Sequence, residues 1–432
     1  MRVKELKLVH YRGAKELELA FEPGVNLLVG VNGSGKTTIL DALATALSWV
    51  PARIRSHQSS GSRIKEKDIH NEKDFSWFEI LCANGNSTAV QDELHWRIVS
   101  TRAGRNPETD PNDALRGVTK LSALNEWAHR IRDELGQKKD EVNLPLFAYY
   151  PVNRAVIDVP LRIRIKHSFD LLSGYDGSLT SGVNFRIFFE WYRNREDIEN
   201  ERYRENPSLQ NDPQLDAVRR AIMVFQPGIS KIFIRRKSPS MRVVKDGKEF
   251  AMEQLSDGEK CLFALVGDLA RRLATLNPLK ENPLEGEGVV LIDEIDLHLH
   301  PQWQRDVVGR LSKTFPNCQF ILTTHSPQVY GETEPNCIHI LDNSSSMHGL
   351  KTIKPDQSFG LDASSILEQY MSAKSRNSEI NAQIEELSKI IDEEKFTEAK
   401  QKIKTIEERL GGSIPETIHA KSMIFMLEDE KD

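Results

Sequence analysis

The chain has 432 residues, 39 % of them hydrophobic, so it can bury a sizeable core and is long enough for two or three domains. Its formal net charge of −6 excludes a globally basic nucleic-acid binder, and any contact with DNA has to be a local patch. The four cysteines, Cys82, Cys261, Cys318 and Cys337, form no CxxC pair, which argues against a cysteine zinc site and suits a reduced, cytoplasmic setting.

The opening residues MRVKELKLVHYRG alternate charged and apolar side chains, which predicts a strand and not a signal peptide. No run approaches the roughly 18 apolar residues of a membrane span, so no membrane partner is expected. Leu6 and Leu8, then Leu17, Leu19 and Phe21, recur at period two and predict two strands joined through YRGAKE. VNLLV is a third, more buried strand, followed by glycines and the helix KTTILDALATALSWV. From Pro51 to about Asp74 the composition turns polar and basic, which reads as a long loop. WFEILCA and ELHWRIVS read as strands of a meander, LSALNEWAHRIRDELG as an amphipathic helix ending at Gly136, and LPLFAYYPVNR as a strand entering a loop. Helices are expected from Asn184 to Phe225, then a hairpin turning at Asp246-Gly247. Helix–strand alternation returns from Leu255 to Asp342, and polar helices with a break at GGSIP follow from Ala363 to about Leu427.

Three stretches carry chemistry. GVNGSGKT comprises Gly30, Val31, Asn32, Gly33, Ser34, Gly35, Lys36 and Thr37, with Thr38 behind it, and fits G-x-x-x-x-G-K-[ST]. Its glycines let consecutive backbone N–H groups converge on phosphates at a helix N-terminus. Lys36 is expected to reach the β- and γ-phosphates of ATP, and Thr37 to hold Mg²⁺. GVVLIDEID places Asp293 and Glu294 at the carboxyl end of a buried strand, where α/β sheets bind ligands. Asp293 fits the Mg²⁺ shell, and Glu294 fits a general base for the attacking water. CQFILTTHSP is a second apolar strand, and His325 at its end is a candidate contact to the γ-phosphate; a satisfied core histidine is the plainer alternative. His298 and His300 in LHLHPQW are not read as metal ligands, because Pro301 suits the first position of a helix and no third ligand stands nearby. Asp296 is expected near a subunit contact. LSDGEK, Leu255, Ser256, Asp257, Gly258, Glu259 and Lys260, opens an apolar helix; on its own it is a capped helix start with Ser256 as N-cap.

Taken together, GVNGSGKT, LSDGEK, VVLIDE, IDLHLH and TTHSP occur in the order seen in ABC-type ATPase heads, and the start of the chain resembles the RecF/SMC branch of them. Within that branch the sequence is similar to overcoming-lysogenisation-defect (OLD) type ATPases, and looks closest to ATPase subunits of Septu-type and retron-associated anti-phage systems. The resemblance covers Met1 to about Asp342. It implies an α/β P-loop ATPase head with an inserted helical lobe and a C-terminal helical region. The expected divisions are 1–175 with the phosphate loop, 176–250 as inserted lobe and hairpin, 251–345 with signature, acidic pair and His325, and 346–432 as a helical docking or oligomerisation region.

It implies as well that two heads face each other head-to-tail. Ser256 and the backbone at Gly258, with Leu255, Asp257 and Glu259 around them, would then cap the nucleotide held by the other copy. Asp257 replaces the usual second glycine of the signature. Such heads carry a glutamine loop, and no unambiguous Gln is found here; YYPVNR, Tyr149–Arg154, stands in about the right place. OLD proteins add a C-terminal nuclease. About 90 residues follow the last head strand here, without clustered carboxylates, so cleavage is expected from a separate HNH-type subunit. The alternative is a RecF/SMC-like DNA-repair or chromosome-maintenance head acting as a clamp. Arg162, Arg164 and Lys166, and Arg235, Arg236 and Lys237, are the basic runs that could touch DNA, although such runs are usually solvated faces.

Overall fold

The computed structural model describes residues 1–85, 93–103, 118–138, 141–152, 169–180, 182–206, 211–237, 239–342, 350–371 and 377–429. Two compact units are present, Met1–Ala363 and Ser364–Asp432.

The first unit is built on two sheets. Strands β1 (Arg2–Tyr11), β2 (Ala14–Ala20), β4 (Phe75–Ala83) and β5 (Glu93–Thr101) form an antiparallel sheet in the order β2-β1-β4-β5. The period-two leucines pair across it, Leu6 with Leu19 and Leu8 with Leu17, so one face is apolar as the alternation requires. The second sheet has the order β13-β12-β3-β11-β10-β6. Its strands are β3 (Val25–Val29), β6 (Leu146–Tyr150), β10 (Gly288–Ile292), β11 (Cys318–Thr324), β12 (Ile338–Asp342) and β13 (Lys351–Ile353). All but β13 run parallel. Strands buried on both faces read as continuous apolar runs, which is why VNLLV, LFAYY and GVVLI show no alternation. Gln319, 1 % exposed, joins the two sheets: its amide accepts from the Val3 N–H at 2.7 Å and donates to the Val3 and Glu22 carbonyls at 2.8 and 2.7 Å.

Helices cover these sheets. α1 (Lys36–Leu47) follows β3; α2 (Trp49–Arg55) and α3 (Ser122–Lys138) come next. Pro51 therefore does not begin a loop. It sits in the first turn of α2, where a proline costs no hydrogen bond, and the irregular stretch starts after Arg55. Likewise α3 runs two residues past Gly136. α4 (Phe185–Glu205) and α5 (Pro213–Phe225) pack on α6 (Asp257–Leu276), which is buried almost all round from Cys261 onward. Between them lies a three-stranded sheet of β7 (Ile229–Arg235), β8 (Ser240–Lys245) and β9 (Lys248–Ala251). Its tight turn is Asp246-Gly247, both at positive φ (49° and 75°), the conformation that two-residue hairpins favour. Arg235 pairs with Glu249, and Arg236 with Glu196 and Asp197, so both arginines of this basic run are held by carboxylates. Arg162, Arg164 and Lys166 lie outside the described residues. No described helix is long and apolar enough to cross a membrane.

The second unit contains α10 (Ser378–Asp392), α11 (Phe396–Leu410) and α12 (Pro415–Asp429). Its core is Leu387, Ile390, Ile391, Ala399, Ile403, Ile406, Ala420 and Ile424, at the three- and four-residue spacing of amphipathic helices. Gly411 ends α11 in the left-handed conformation (φ 73°), and Pro415 opens α12. Leu410 is turned out of that core, and Phe425 and Met426 are 69 % and 65 % exposed.

Candidate active site

Parallel order brings the chemistry to one edge. The phosphate loop follows β3, the acidic pair follows β10, His325 follows β11 and Pro151 follows β6, all at the carboxyl ends of neighbouring strands.

The loop is made for an anion. Gly33 and Gly35 sit at φ 79° and 96°, a region that costs an L side chain about 1–2 kcal/mol. Gly35 is the N-cap of α1 and supplies no side-chain cap, so the first-turn N–H groups keep their donors for a ligand. Lys36 folds back across the loop, donating to the Gly30 and Val31 carbonyls at 2.8 and 3.1 Å. An ammonium has three protons, which leaves one for a phosphate oxygen. Burial lowers the Lys36 ammonium below the ordinary lysine range, against the opposing pull of Asp293, Glu294 and Asp296. Ser34, 1 % exposed, has a hydroxyl without a partner among the described residues, an orphan that a bound phosphate would satisfy.

Thr37 and Asp293 meet as expected. The Thr37 hydroxyl donates to Asp293 Oδ2 at 2.9 Å, across 256 positions of sequence. Two oxygens so placed beside a phosphate loop fit Mg²⁺, which takes few protein ligands and keeps the rest of its shell for phosphates and water.

The acidic pair is oriented by a residue that sequence reasoning passed over. The Thr323 hydroxyl donates to Asp293 Oδ1 at 2.6 Å and accepts from the Glu294 N–H at 2.7 Å. Glu294 itself sits at φ 47°, a strained conformation for a non-glycine residue, and such strain persists only where neighbours hold it. Thr324 does the same for Asp296: its hydroxyl donates to Asp296 Oδ1 at 2.6 Å, and the His325 N–H points at the same oxygen from 3.3 Å. Asp296 is thus used within its own chain, to tie the turn after β10 to the end of β11. The only sequence signal for this was the doubled threonine of TTHSP. Burial and then Lys36 lower the His325 imidazole below its ordinary range, opposed by Asp296, Glu294 and Asp293, so the ring is neutral beside the site.

His300 is the N-cap of α7 (Pro301–Thr314), accepting from the Gln302 N–H. Ser256 is the N-cap of α6, in a capping box with Glu259. Glu259 is engaged in its own chain: it accepts from the Ser256 N–H and hydroxyl at 2.9 and 2.7 Å, and from Lys245. Burial raises its carboxyl, but Lys245 and Ser256 overcome this and hold it below the usual range. Leu255 is buried, whereas Ser256 and Asp257 are exposed. Gly258 must be glycine, because a Cβ there would stand 2.5 Å from the His298 carbonyl oxygen. Among the described residues no hydrogen bond joins this hexapeptide to the phosphate loop of its own chain.

Of the YYPVNR stretch, Asn153 and Arg154 lie outside the described residues; among the described ones, hydroxyls and charges line the cavity beside Thr37 and Asp293. Tyr149 reaches Asp41 on α1, and Asp41 accepts from Arg12, which also pairs with Asp68. These residues, with Thr37 and Asp293, line a cavity of about 480 Å³. Arg12 belongs to the YRG turn between β1 and β2, and nothing in its local pattern marked it.

Comparison with known proteins shows the family. The family model "AAA domain, putative AbiEii toxin, Type IV TA system" matches residues 107–330, and the model "AAA ATPase domain" matches residues 1–84. The chain is 31 % identical over 414 residues to the retron Ec83 probable ATPase of Escherichia coli, covering 82 % of this chain and 74 % of the relative. It is 26 % identical to the Septu protein PtuA of Bacillus thuringiensis, covering 76 % and 72 %. Among solved structures, the SMC head bound to the C-winged helix domain of ScpA aligns with a TM-score of 0.48 at 16 % identity, over 82 % of this chain and 98 % of that one. On the family models and the extended match to the retron protein, the chain belongs to the AAA-domain ATPase family and is an ATPase.

Proposed function

We propose that the protein hydrolyses ATP at a site completed by a second copy, and that this cycle controls a separate HNH-type nuclease in a cytoplasmic anti-phage defence complex. The observation that carries the hydrolytic part is the junction at the edge of β10 and β11. One threonine hydroxyl orients Asp293 toward Thr37 and anchors the backbone of Glu294, so a metal-holding oxygen pair and a general base stand side by side.

In this reading the backbone of Gly30–Thr37 and Lys36 bind the β- and γ-phosphates. Thr37 and Asp293 hold Mg²⁺, which when bound neutralises charge developing on the phosphoryl oxygens. Glu294 accepts a proton from the attacking water. Neutral His325 steadies that water or a γ-phosphate oxygen. Ser256 and the backbone at Gly258 serve the nucleotide of the second copy; the exposure of Ser256 and Asp257 at the mouth of α6, with no hydrogen bond to their own phosphate loop among the described residues, supports this. The defence setting and the nuclease rest on similarity to the retron and Septu proteins. No nuclease centre is assigned to this chain.

Mixing two inactive variants tests the shared site. Lys36→Ala and Ser256→Arg should each lose ATPase activity alone. Mixed heterodimers contain one intact site, from the Lys36 of one chain and the Ser256 of the other, and should recover part of it. Absence of recovery despite demonstrated subunit exchange would reject the composite arrangement.

A further inference from the structure

Strand β6 ends on two consecutive tyrosines, Tyr149 and Tyr150, followed by Pro151. Adjacent residues of a strand face opposite sides of its sheet. On one side the Tyr149 hydroxyl donates to Asp41 Oδ1 at 3.0 Å. Asp41 lies one turn beyond Thr37 on α1, the helix that opens at the phosphate loop, and its other oxygen accepts from Arg12 at 2.7 Å. On the opposite side the Tyr150 hydroxyl donates to Asp268 Oδ2 at 3.0 Å. Asp268 lies in α6, twelve residues and so about 18 Å along the axis from Ser256. Between the two side chains, the Tyr150 carbonyl accepts from the Asp293 N–H at 2.9 Å.

One strand end therefore touches the helix of the phosphate loop, the helix of the signature and the metal-site aspartate. We propose that Tyr149 and Tyr150 are positioning residues that couple the two halves of the composite site, a task for which the sequence offers no unambiguous glutamine. The proposal rests on the assignment of Gly30–Thr37 as the ATP site.

The physics favours transmission. Burial raises both phenols well above their usual range, so both remain neutral donors, each spent on a carboxylate. One peptide joins the two residues, and the proline after Tyr150 favours extended backbone there, so a displacement of the strand end moves both hydroxyls together. At the far end Asp268, 0 % exposed, faces two guanidiniums: Arg271 at 2.7 Å and Arg272 at 2.7 Å. Arg272 donates also to the Gly174 and Asp176 carbonyls. Arg271 Nη1 is buried and has no acceptor among the described residues. One carboxylate shared by two guanidiniums and a phenol has more than one hydrogen-bonding arrangement open to it. Tyr150 is the ligand whose movement would choose between them.

The test reads α6 itself. Hydrogen exchange of the full-length protein is followed in peptides covering residues 262–276, with and without Mg²⁺ and ATP, for the unmodified chain, Tyr149→Phe and Tyr150→Phe. This part of α6 is buried within its own chain, so a second copy cannot protect it directly. Binding of a fluorescent ATP analogue is measured in parallel. The unmodified protein should show a several-fold ATP-dependent change in exchange; at nucleotide concentrations that saturate each variant in the binding assay, both variants should lose that change. Tyr149→Phe touches only a hydroxyl facing the half-exposed Asp41, so it keeps the test open if Tyr150→Phe fails to fold. Exchange in α6 that ignores ATP in the unmodified chain, or a full response in a folded variant, overturns the coupling. A protein that binds no ATP analogue would instead sink the site assignment itself.

Discussion

Thr323→Val keeps the shape of a fully buried side chain and removes one hydroxyl. That hydroxyl makes two bonds, 2.6 Å to the Asp293 carboxylate and 2.7 Å from the Glu294 N–H. A hydrogen bond to a charged group contributes about 1.5–3 kcal/mol and a neutral one about 0.5–1.5 kcal/mol. Part of the first is retained, because Asp293 keeps Thr37 on its other oxygen. The expected loss of stability is therefore about 2–4 kcal/mol. The larger consequence is for catalysis. Glu294 holds φ 47° against an intrinsic preference for negative φ, and the Thr323 hydroxyl is the partner of its N–H. Freed of that anchor, the turn relaxes and, on the proposed role of Glu294 as base, its carboxylate loses its orientation. Loss of a well-placed base costs about 10²–10⁴-fold, and a misplaced one should cost a substantial part of that in kcat. Nucleotide affinity should change little, since the phosphate loop is untouched. Steady-state ATPase kinetics, nucleotide binding and denaturant unfolding on the same preparation measure all three. A Thr323→Val protein with unaltered kcat and near-normal stability would refute the idea that this hydroxyl organises the acidic pair. Thr323→Ser, which keeps the hydroxyl, should restore most of the activity.

Glu294→Gln should bind ATP normally and turn it over about 10²–10⁴-fold more slowly, which single-turnover kinetics would show; near-normal turnover would remove Glu294 from the role of base. His339 is 3 % exposed, burial and then Lys354 lower its pKa from 6.5 to about 4, and its ring faces the Lys354 ammonium at 3.3 Å. The unfolded chain therefore takes up this proton first as pH falls, so the stability present above pH 6.5 is lost between 6.5 and 4, by about 3 kcal/mol. His339→Gln should flatten that part of the curve in urea titrations at pH 7.5 and 4.5, and an unchanged difference between the two pH values would count against it. Ending the chain at Ala363 should leave nucleotide affinity intact, because the phosphate loop and every partner described for it lie in the first unit. On the proposed function, the same truncation should lose binding of a candidate HNH-type partner or any assembly larger than a dimer, measured by light scattering with and without that partner; full retention of both would make the helical unit a mere appendage.

Much of the site is legible in the linear chain because its parts are local. A phosphate loop is a run of consecutive backbone donors, and Gly30–Thr37 displays it complete between an apolar strand and a helix. Asp293 and Glu294 are readable because a buried parallel strand must end where its apolar run ends. Ser256 is readable as a cap because Glu259 stands three residues on. The helices of the second unit follow from spacing alone, and so does the turn at Asp246-Gly247. Composition misled at Pro51, where a basic, polar stretch hides a helical turn that tolerates proline in its first positions.

What tertiary structure alone decided are the contacts between elements remote in sequence. The order β13-β12-β3-β11-β10-β6 is set by crossover connections, which leave no periodic trace, and it alone makes Thr323 a neighbour of Asp293 and Glu294. A threonine within an apolar strand looks like any β-branched filler until its hydroxyl has somewhere to go. Asp41 reads as the polar face of α1, and Arg12 as a turn residue, until the fold brings Arg12 and Tyr149 to the two oxygens of Asp41. Asp268, Arg271 and Arg272 are polar interruptions of an apolar helical run; β6 and the turn Leu171–Tyr175 pack against them, and only then must one carboxylate satisfy two arginines and a tyrosine. Local spacing specifies which groups a segment can offer, but burial and strand order determine which of them must pair.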